Sequence, residues 1–486
     1  MSPPVPAPVA APRRSAVLVV AFLATWLGGC AVGPRYTAPD THALAPDAYP
    51  VTDAALSSAA PTDHWWTALG DPLLDDLVER ALAGNPDLAS AEARVQQSRA
   101  SARMIGAAFY PVANLDARAG RDKLSLNGEN LALIPFKPST TEFTDYRVGF
   151  DAAWEIDLAG RTRRQVEAAV ARLDSSAESR NDARLVVAAD VAGAYVDYRA
   201  AAERLALARR TLASLDETVR LVGLEVRAGV ADDGDLRRAE SDRLNAAGAV
   251  PSIDASVRSA VFRLAALTAE PLDSLVHRLE PPAAIPTVPA TTPVGMPSEL
   301  LRRRPDVRRA ERDLAAATAE VGGAVAAQFP RLSLVGDFGW DSVRSGDLTN
   351  AASRYWNIGP QLTLPLFAGG QLRAQVDVAK AGRDAALAAY RATVLRALAD
   401  TESSLMRFAA ERNREASLAA AAASLEANLA LQHRRFEAGD ASMIDVLAAE
   451  RAANLAADQR AASNGQLVQD YIALGKALGG GWQAAN

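Results

Sequence analysis

"YRVGFDAAWEIDLAGRTRRQVEAAVARL" runs from Tyr146 to Leu173 and changes its hydrophobic period halfway. From Tyr146 to Leu158 every second residue is apolar: Tyr146, Val148, Phe150, Ala152, Trp154, Ile156 and Leu158. That alternation is strand spacing with one apolar face. The other face carries Asp145, Arg147, Asp151, Glu155 and Asp157, a mostly acidic row. Past Gly160 the apolar positions are Val166, Val170, Leu173 and Ala177. Steps of four, three and four line one face of a helix. The stretch predicts a long two-faced strand that runs straight into a helix.

The same plan occurs twice. "NPDLASAEARV" (Asn85 to Val95) lies over "RPDVRRAERDL" (Arg304 to Leu314) at a shift of 219, which also lays Leu115 over Leu334 and Gly120 over Gly339. A shift of 210 lays "RAGVADDGDLRRAE" (Arg227 to Glu240) over "EAGDASMIDVLAAE" (Glu437 to Glu450), and Gln165 and Val166 over Gln375 and Val376. Self-similarity at a fixed offset is the signature of a duplication. It divides the chain into a segment 30–61, a first copy 62–275, a Pro-rich linker 276–295 and a second copy 296–486. Each copy reads helix, strand, strand, long helix, turn, helix, with strands near 112–122, 144–158, 331–341 and 354–367. Asn85-Pro86-Asp87 is a helix opening, with Asn as N-cap, Pro at the first position and Asp near the positive dipole end.

Between Gly160 and Pro251 there is no proline, and none follows Pro365. A helix over 161–226 would be ~100 Å long at 1.5 Å per residue. Within it Leu205, Ala208, Leu212, Leu215, Val219, Val222 and Val226 step alternately by three and four, a heptad seam. Leu418, Ala422, Leu425, Leu429, Gln432 and Phe436 form its counterpart. Turns at Gly229 and Gly439 fold each copy back and supply the coiled-coil neighbour.

Composition excludes more than it selects. The chain has 486 residues, 49% hydrophobic, with 52 Lys plus Arg against 58 Asp plus Glu and a net charge of -6. That balance does not suit a nucleic-acid binder, and "LRRRPDVRRAER" reads as a solvated helix entrance. His42, His64, His277 and His433 lack metal-ligand spacing, and no nucleophile elbow or phosphate loop occurs. No enzyme, metal or cofactor is expected.

The first residues are of another kind. Arg13 and Arg14 precede "SAVLVVAFLATWL" and then Leu27-Gly28-Gly29-Cys30, the layout of a signal peptide over 1–29. Cys30 is the sole cysteine. Its setting resembles the lipobox of bacterial lipoproteins, which implies an acylated, palmitate-bearing N-terminus. Ala31 in the next position implies, by the same resemblance, the outer rather than the inner membrane. No later segment reads as a transmembrane helix, so any span must use strands.

Two readings fit the strands: a soluble sandwich edge, or a membrane barrel that is apolar toward lipid and polar toward a lumen, for which ~9–11 residues per strand suffice. Four strands cannot close a barrel, and open edges are not tolerated in lipid. A barrel must therefore be shared, and counting allows two chains with eight strands or three with twelve.

"DHWWTALGDPLLDDLVERAL", "NPDLASAEARV", "WEIDLAGRTRRQVEAA", "MPSELLRRRPDVRRAERDLAAATAEVG" and "PLFAGGQLRAQVDVA" resemble the signature stretches of TolC-like outer-membrane factors of tripartite efflux systems, in their lipoprotein branch. The resemblance is collinear over essentially the whole mature chain. It implies an α+β membrane fold: a homotrimer with a twelve-stranded outer-membrane β-barrel, four strands per protomer, continued by a periplasmic α-helical coiled-coil barrel. It implies a passive conduit for small molecules, partnered by a periplasmic membrane-fusion adaptor and an inner-membrane RND-type pump. Asp145, Arg147, Asp151, Glu155 and Asp157 would then face the lumen. The turns would form the periplasmic entrance, with Gly229, Asp232, Gly439 and Ser442 toward the adaptor.

Family motifs carry a gate aspartate onto Asp445 and, by the repeat, onto Asp235. Ala441 and Ala448 stand where some members place an Arg and a second Asp, which puts Asp440 or an apolar plug of Met443 and Ile444 forward instead. Ser442-x-x-Asp445 and Asp232-x-x-Asp235 are also spaced as helix caps. A pore-less periplasmic coiled-coil lipoprotein scaffold is the rival function. It accounts for Cys30 and the helices but has no use for duplicated strand pairs.

Overall fold

The computed structural model describes residues 31–40, 46, 48–51, 53, 55–125 and 141–482; the expected signal peptide 1–29 and Cys30 lie outside the described residues. In chain order the elements are β1 (Leu56–Ser57), α1 (Pro72–Gly84), α2 (Pro86–Gly106), β2 (Val112–Lys123), β3 (Glu142–Ile156), α3 (Arg161–Arg227), α4 (Asp233–Thr268), α5 (Leu272–Leu279), β4 (Thr292–Pro293), α6 (Pro297–Arg303), α7 (Pro305–Ala326), β5 (Arg331–Ser342), β6 (Arg354–Thr363), α8 (Gln371–Glu437) and α9 (Met443–Ala477). Among the described residues no helix is long and apolar enough to cross a membrane.

The chain forms two compact units, and each draws on both sequence copies. One takes residues up to Ala38, Gln97–Leu173 and Arg312–Ala388, and the other takes Pro39–Gln96, Asp174–Glu311 and the chain from Ala389. The first unit holds an antiparallel sheet in the order β2-β3-β5-β6. Its two hairpins share one register under the sequence shifts. Val112 pairs with Ala153 and Arg331 pairs with Thr363, which are the same two positions moved by 219 and 210.

Two strands depart from the sequence expectation by more than one residue. β3 begins at Glu142 and stops at Ile156, so Asp157 and Leu158 are not part of it. β6 stops at Thr363 rather than near 367. Pro365 lies just beyond and cannot donate to a ladder.

The second unit has an apolar core that includes Trp66, Leu74, Leu77, Tyr195, Leu264, Leu275, Leu279, Leu405, Phe408 and Leu474. The "HWWTALGD" motif feeds it. Trp65 and Trp66 are buried, and Asp71 caps α1 by accepting from the Leu73 and Leu74 amides at 2.9 and 3.3 Å. Tyr195 on α3 donates its hydroxyl to the same carboxylate at 2.6 Å. β1 and β4 make a short parallel pair beside this core.

Within this unit the long helices lie in the order α4, α3, α9, α8. Arg209 on α3 meets Asp254 on α4, Arg204 on α3 meets Asp458 on α9, and Arg460 on α9 meets Glu415 on α8. α3 therefore buries two stripes. One is the heptad seam, with Leu205, Leu215 and Val222 buried. The other, with Leu207, Ser214 and Thr218, faces α9, where Arg451 donates to the Thr218 hydroxyl at 3.0 Å.

The helix openings of the two copies are locked alike. The Asn85 amide donates to the Leu267 carbonyl at 2.8 Å while its oxygen caps α2 through the Asp87 and Leu88 amides. Arg304, 219 residues on, donates to the Ala477 carbonyl, 210 residues on from Leu267, at 3.1 Å and grips Asp306 through both carboxylate oxygens at 3.0 and 2.7 Å. Asn85→Ala should cost about 1–2 kcal/mol, the usual worth of a cap. Arg304→Ala, which strands a partly buried carboxylate, should cost more, about 3 kcal/mol or above. Urea unfolding of the detergent-solubilised protein measures both; equal costs would contradict the assignment.

Candidate functional site

The sheet sorts side chains into rows. On one face Leu115, Phe150, Phe338 and Trp356 stand in register across all four strands, followed by Ala113, Ala152, Gly336 and Ile358. Leu115 is 62%, Phe150 54% and Trp356 73% exposed. An uncovered apolar surface of this extent marks contact with lipid or another chain.

The opposite face is polar. Asn114, Asp151, Asp337 and Asn357 form one row, and Asn114 donates to the Asp151 carboxylate at 3.0 Å. Asp151 and Asp337 are directly opposite on adjacent strands, which is unfavourable by some tenths of a kcal/mol unless water or counter-ions screen the pair. In another row Arg118, Arg147 and Asp341 align. Together the polar positions of the four strands hold seven carboxylates, on Asp116, Asp122, Asp145, Asp151, Glu155, Asp337 and Asp341, against Arg118, Arg147 and Arg331. The face is therefore net acidic.

At its centre Gly149 and Gly339 face each other. A Cβ on Gly339 would lie 2.6 Å from the Gly149 Cα and 2.8 Å from the Tyr355 hydroxyl. Only glycines let the Tyr355 ring lie across them. Arg147 donates through Nε to that hydroxyl at 2.8 Å, with its guanidinium 4.6 Å from the ring centroid.

Of the five residues expected in the acidic row, Asp145, Arg147, Asp151 and Glu155 lie together on this face. Glu155 reaches Arg161 at 3.9 Å. Asp157 leaves the row: its carboxylate folds back onto the start of α3 and accepts from the Thr162 and Arg163 amides at 3.2 and 2.9 Å. An aspartate just ahead of a helix is drawn to the unpaired first-turn amides. Asp116, Asp337 and Asp341 were not singled out from the sequence, though the polar parity of β2 and β5 marks all three.

The helix turns form a matched pair. Gly229 (φ 74°) and Gly439 (φ 83°) take the left-handed conformation. Gly229 donates to the Val226 carbonyl and Val230 to that of Glu225; Gly439 and Asp440 repeat this with Phe436 and Arg435. These are two Schellman closures, in which glycine avoids a Cβ clash. They differ in the next cap. Ser442 and Asp445 make a full capping box: the Asp445 amide donates to Ser442 Oγ at 3.2 Å, and the Ser442 amide to Asp445 Oδ2 at 2.9 Å. Asp232 caps α4 by accepting from the Asp235 amide at 2.9 Å, whereas the Asp235 carboxylate meets Arg238 at 3.3 Å. Asp440 is exposed, and Met443 and Ile444 are half-buried. Backbone and side-chain hydrogen bonds from Ser442 hold the Asp445 carboxyl below its ordinary range.

The segment after Cys30 is docked beside β3. Val32 donates to the Ala159 carbonyl at 3.1 Å, and Ala31 lies against Gly160. Arg164, on the first turn of α3 with only 5% of its side chain exposed, donates to the Val32 carbonyl at 3.3 Å and pairs with Glu167 at 2.8 Å.

Comparison with known proteins gives one answer. The family model described as outer membrane efflux protein matches residues 77–270 and 296–480. The pyoverdine export outer membrane protein OpmQ of Pseudomonas aeruginosa is 32% identical over 463 residues, 94% of this chain and 95% of that protein. The antibiotic efflux pump outer membrane protein ArpC of Pseudomonas putida is 32% identical over 477 residues, 96% of each. The outer-membrane channel OprN aligns in three dimensions with a TM-score of 0.84 and 33% identity, over 94% of this chain and 100% of that one.

The lowered Asp445 carboxyl fixes a sign. The box is intact above the ordinary carboxylate range near pH 4 and is lost as pH falls through the lower native value. Hydrogen exchange at the Ser442 and Asp445 amides should show protection that is flat from neutral pH to about pH 5 and falls in acid, a step absent in Asp445→Asn. A step that survives Asp445→Asn would assign the protection to another group.

Proposed function

We propose, from the premise that the chain belongs to the outer membrane efflux protein family, that three copies form a passive conduit through which small molecules leave the cell. The protein is an outer-membrane efflux channel that extends into the periplasm of a bacterium. The single observation that carries this is a four-stranded sheet with one apolar and one acidic face, whose outer strands β2 and β6 have no further strand beside them among the described residues. In lipid those edges need partners, and further copies of the chain supply them. Three copies make a barrel of twelve strands, with Asp145, Arg147, Asp151 and Glu155 toward the lumen and Phe150, Phe338 and Trp356 toward lipid.

The helices would extend this tube into the periplasm. In our reading a membrane-fusion adaptor meets the turns at Gly229, Asp232, Gly439 and Ser442, and an RND-type pump supplies the driving force. Asp440, with Met443 and Ile444, would close the resting entrance. Asp445 and Asp235 serve first as cap-region residues and take part in the gate only through that geometry. Cargo is inferred from relatives whose names speak of pyoverdine export and antibiotic efflux. Cys30 would carry the acyl chains. The docking of Ala31 and Val32 against Ala159 and Gly160, directly after β3, supports an anchor entering the membrane beside the barrel.

Purified protein in planar bilayers should give discrete ion-conducting steps and run as a heat-dissociable trimer. A monomer washed from membranes without detergent would contradict the channel and favour a pore-less scaffold. Asp440→Ala should raise the closed-state conductance; unchanged conductance would remove Asp440 from the gate. Cys30→Ser should abolish incorporation of labelled palmitate while leaving the trimer assembled.

A further inference from the structure

The outer strands of the sheet, β2 and β6, are both two-faced. On β6 Trp356, Ile358 and Leu362 are exposed and apolar, and beyond Thr363 the exposed Leu364, Leu366 and Phe367 continue the chain without a strand partner among the described residues. On β2 the exposed Leu115 stands on the apolar face with Ala113, Ala117 and Ala119, and that row ends in Arg121 and Lys123. Because side chains alternate, each face must continue across any new seam, which excludes alternate registers but leaves several.

The duplication selects one. The inner seam of the sheet joins β3, the second strand of the first copy, to β5, the first strand of the second copy. The outer edges are the equivalent pair: β6 is the counterpart of β3 at a shift of 210, and β2 that of β5 at a shift of 219. The inner pairing Gly149 to Gly339 therefore maps onto Gly359 and Gly120, and Glu155 to Ser333 would place residue 365 opposite Asn114.

We propose that β6 of one copy pairs antiparallel with β2 of a second copy in the register that sets Gly359 opposite Gly120 and Thr363 opposite Asp116. This rests on the trimeric reading above and specifies its seam. In this register Leu364 meets Leu115 and Leu362 meets Ala117 on the apolar face, Gln361 meets Arg118 and Asn357 meets Asp122 on the polar face, and at the far end of β2 Ile358 and Trp356 lie opposite Arg121 and Lys123. Leu366 gains Ala113, so the exposed tail of β6 becomes ladder, as its counterpart Ile156 already is opposite Leu332. The glycine pair recurs, but its cover changes: Asp145 and Asn357 occupy the positions that Tyr355 and Arg147 take at the inner seam.

Zero-length oxidation of paired cysteines reads the register. A disulfide needs Cα atoms within ~4.4–6.8 Å; directly opposite residues lie ~4.5–5.5 Å apart, and diagonal neighbours ~7–8 Å. Gly120→Cys with Gly359→Cys, and Asp116→Cys with Thr363→Cys, should each give disulfide-linked oligomers up to three chains on non-reducing gels. The offset pairs Asp116→Cys with Gln361→Cys and Arg118→Cys with Thr363→Cys should stay at least several-fold lower, and each single variant should remain unlinked. A native gel of the unoxidised samples separates the two levels. A trimer in which only offset pairs link overturns the register, as does a trimer in which no pair links. Absence of any trimer, in these variants and in the wild type, overturns the trimeric reading beneath it.

Discussion

A strand placed in hydrocarbon must give every backbone N–H and C=O a protein partner, because an unpaired group there costs several kcal/mol. The rest of this molecule follows from that requirement. Its sheet satisfies its inner strands and leaves β2 and β6 open, so a single chain is unfinished in a membrane however well its helices pack. In the second unit α3 and α9 have long-helix neighbours on both sides, while α4 and α8 end the row.

Duplication offers an economical solution. A chain built from two equivalent halves already contains one seam between unlike strands, β3 with β5, and an outer seam between copies can repeat it. The internal agreement is close: both hairpins keep one register under the two sequence shifts, both helix openings bind a carbonyl at equivalent positions, and both turns close by the same hydrogen bonds. Differences between the halves carry the specialisation. Ser442 and Asp445 make a reciprocal cap where Asp232 and Asp235 do not, and Arg164, which holds the N-terminal segment, has Ala374 as its counterpart.

Much of the fold was legible in the sequence because its signals are periodic. Alternation from Tyr146 located β3, heptad spacing located one seam of α3, and self-comparison located the equivalent hairpins and turns. What escaped detection depends on contacts between distant residues. The second buried stripe of α3 includes Ser214 and Thr218, whose polarity hides it from a hydrophobic count. Tyr355 lies over Gly149 and contacts Arg147 from more than 200 residues away, which no local pattern encodes. Asp157 matched the strand by parity, yet the amides of the following helix offered it stronger partners than the sheet face did. The family resemblance supplied the trimer, the adaptor and the pump, none of which periodicity alone can reach.

In the proposed channel, other copies of the chain complete the sheet. Subunit counting by native mass spectrometry of the protein extracted in mild detergent tests it most directly. A single assembly of three chains, which gives twelve strands, is expected. A stable monomer, or a dimer closing eight strands, would contradict it.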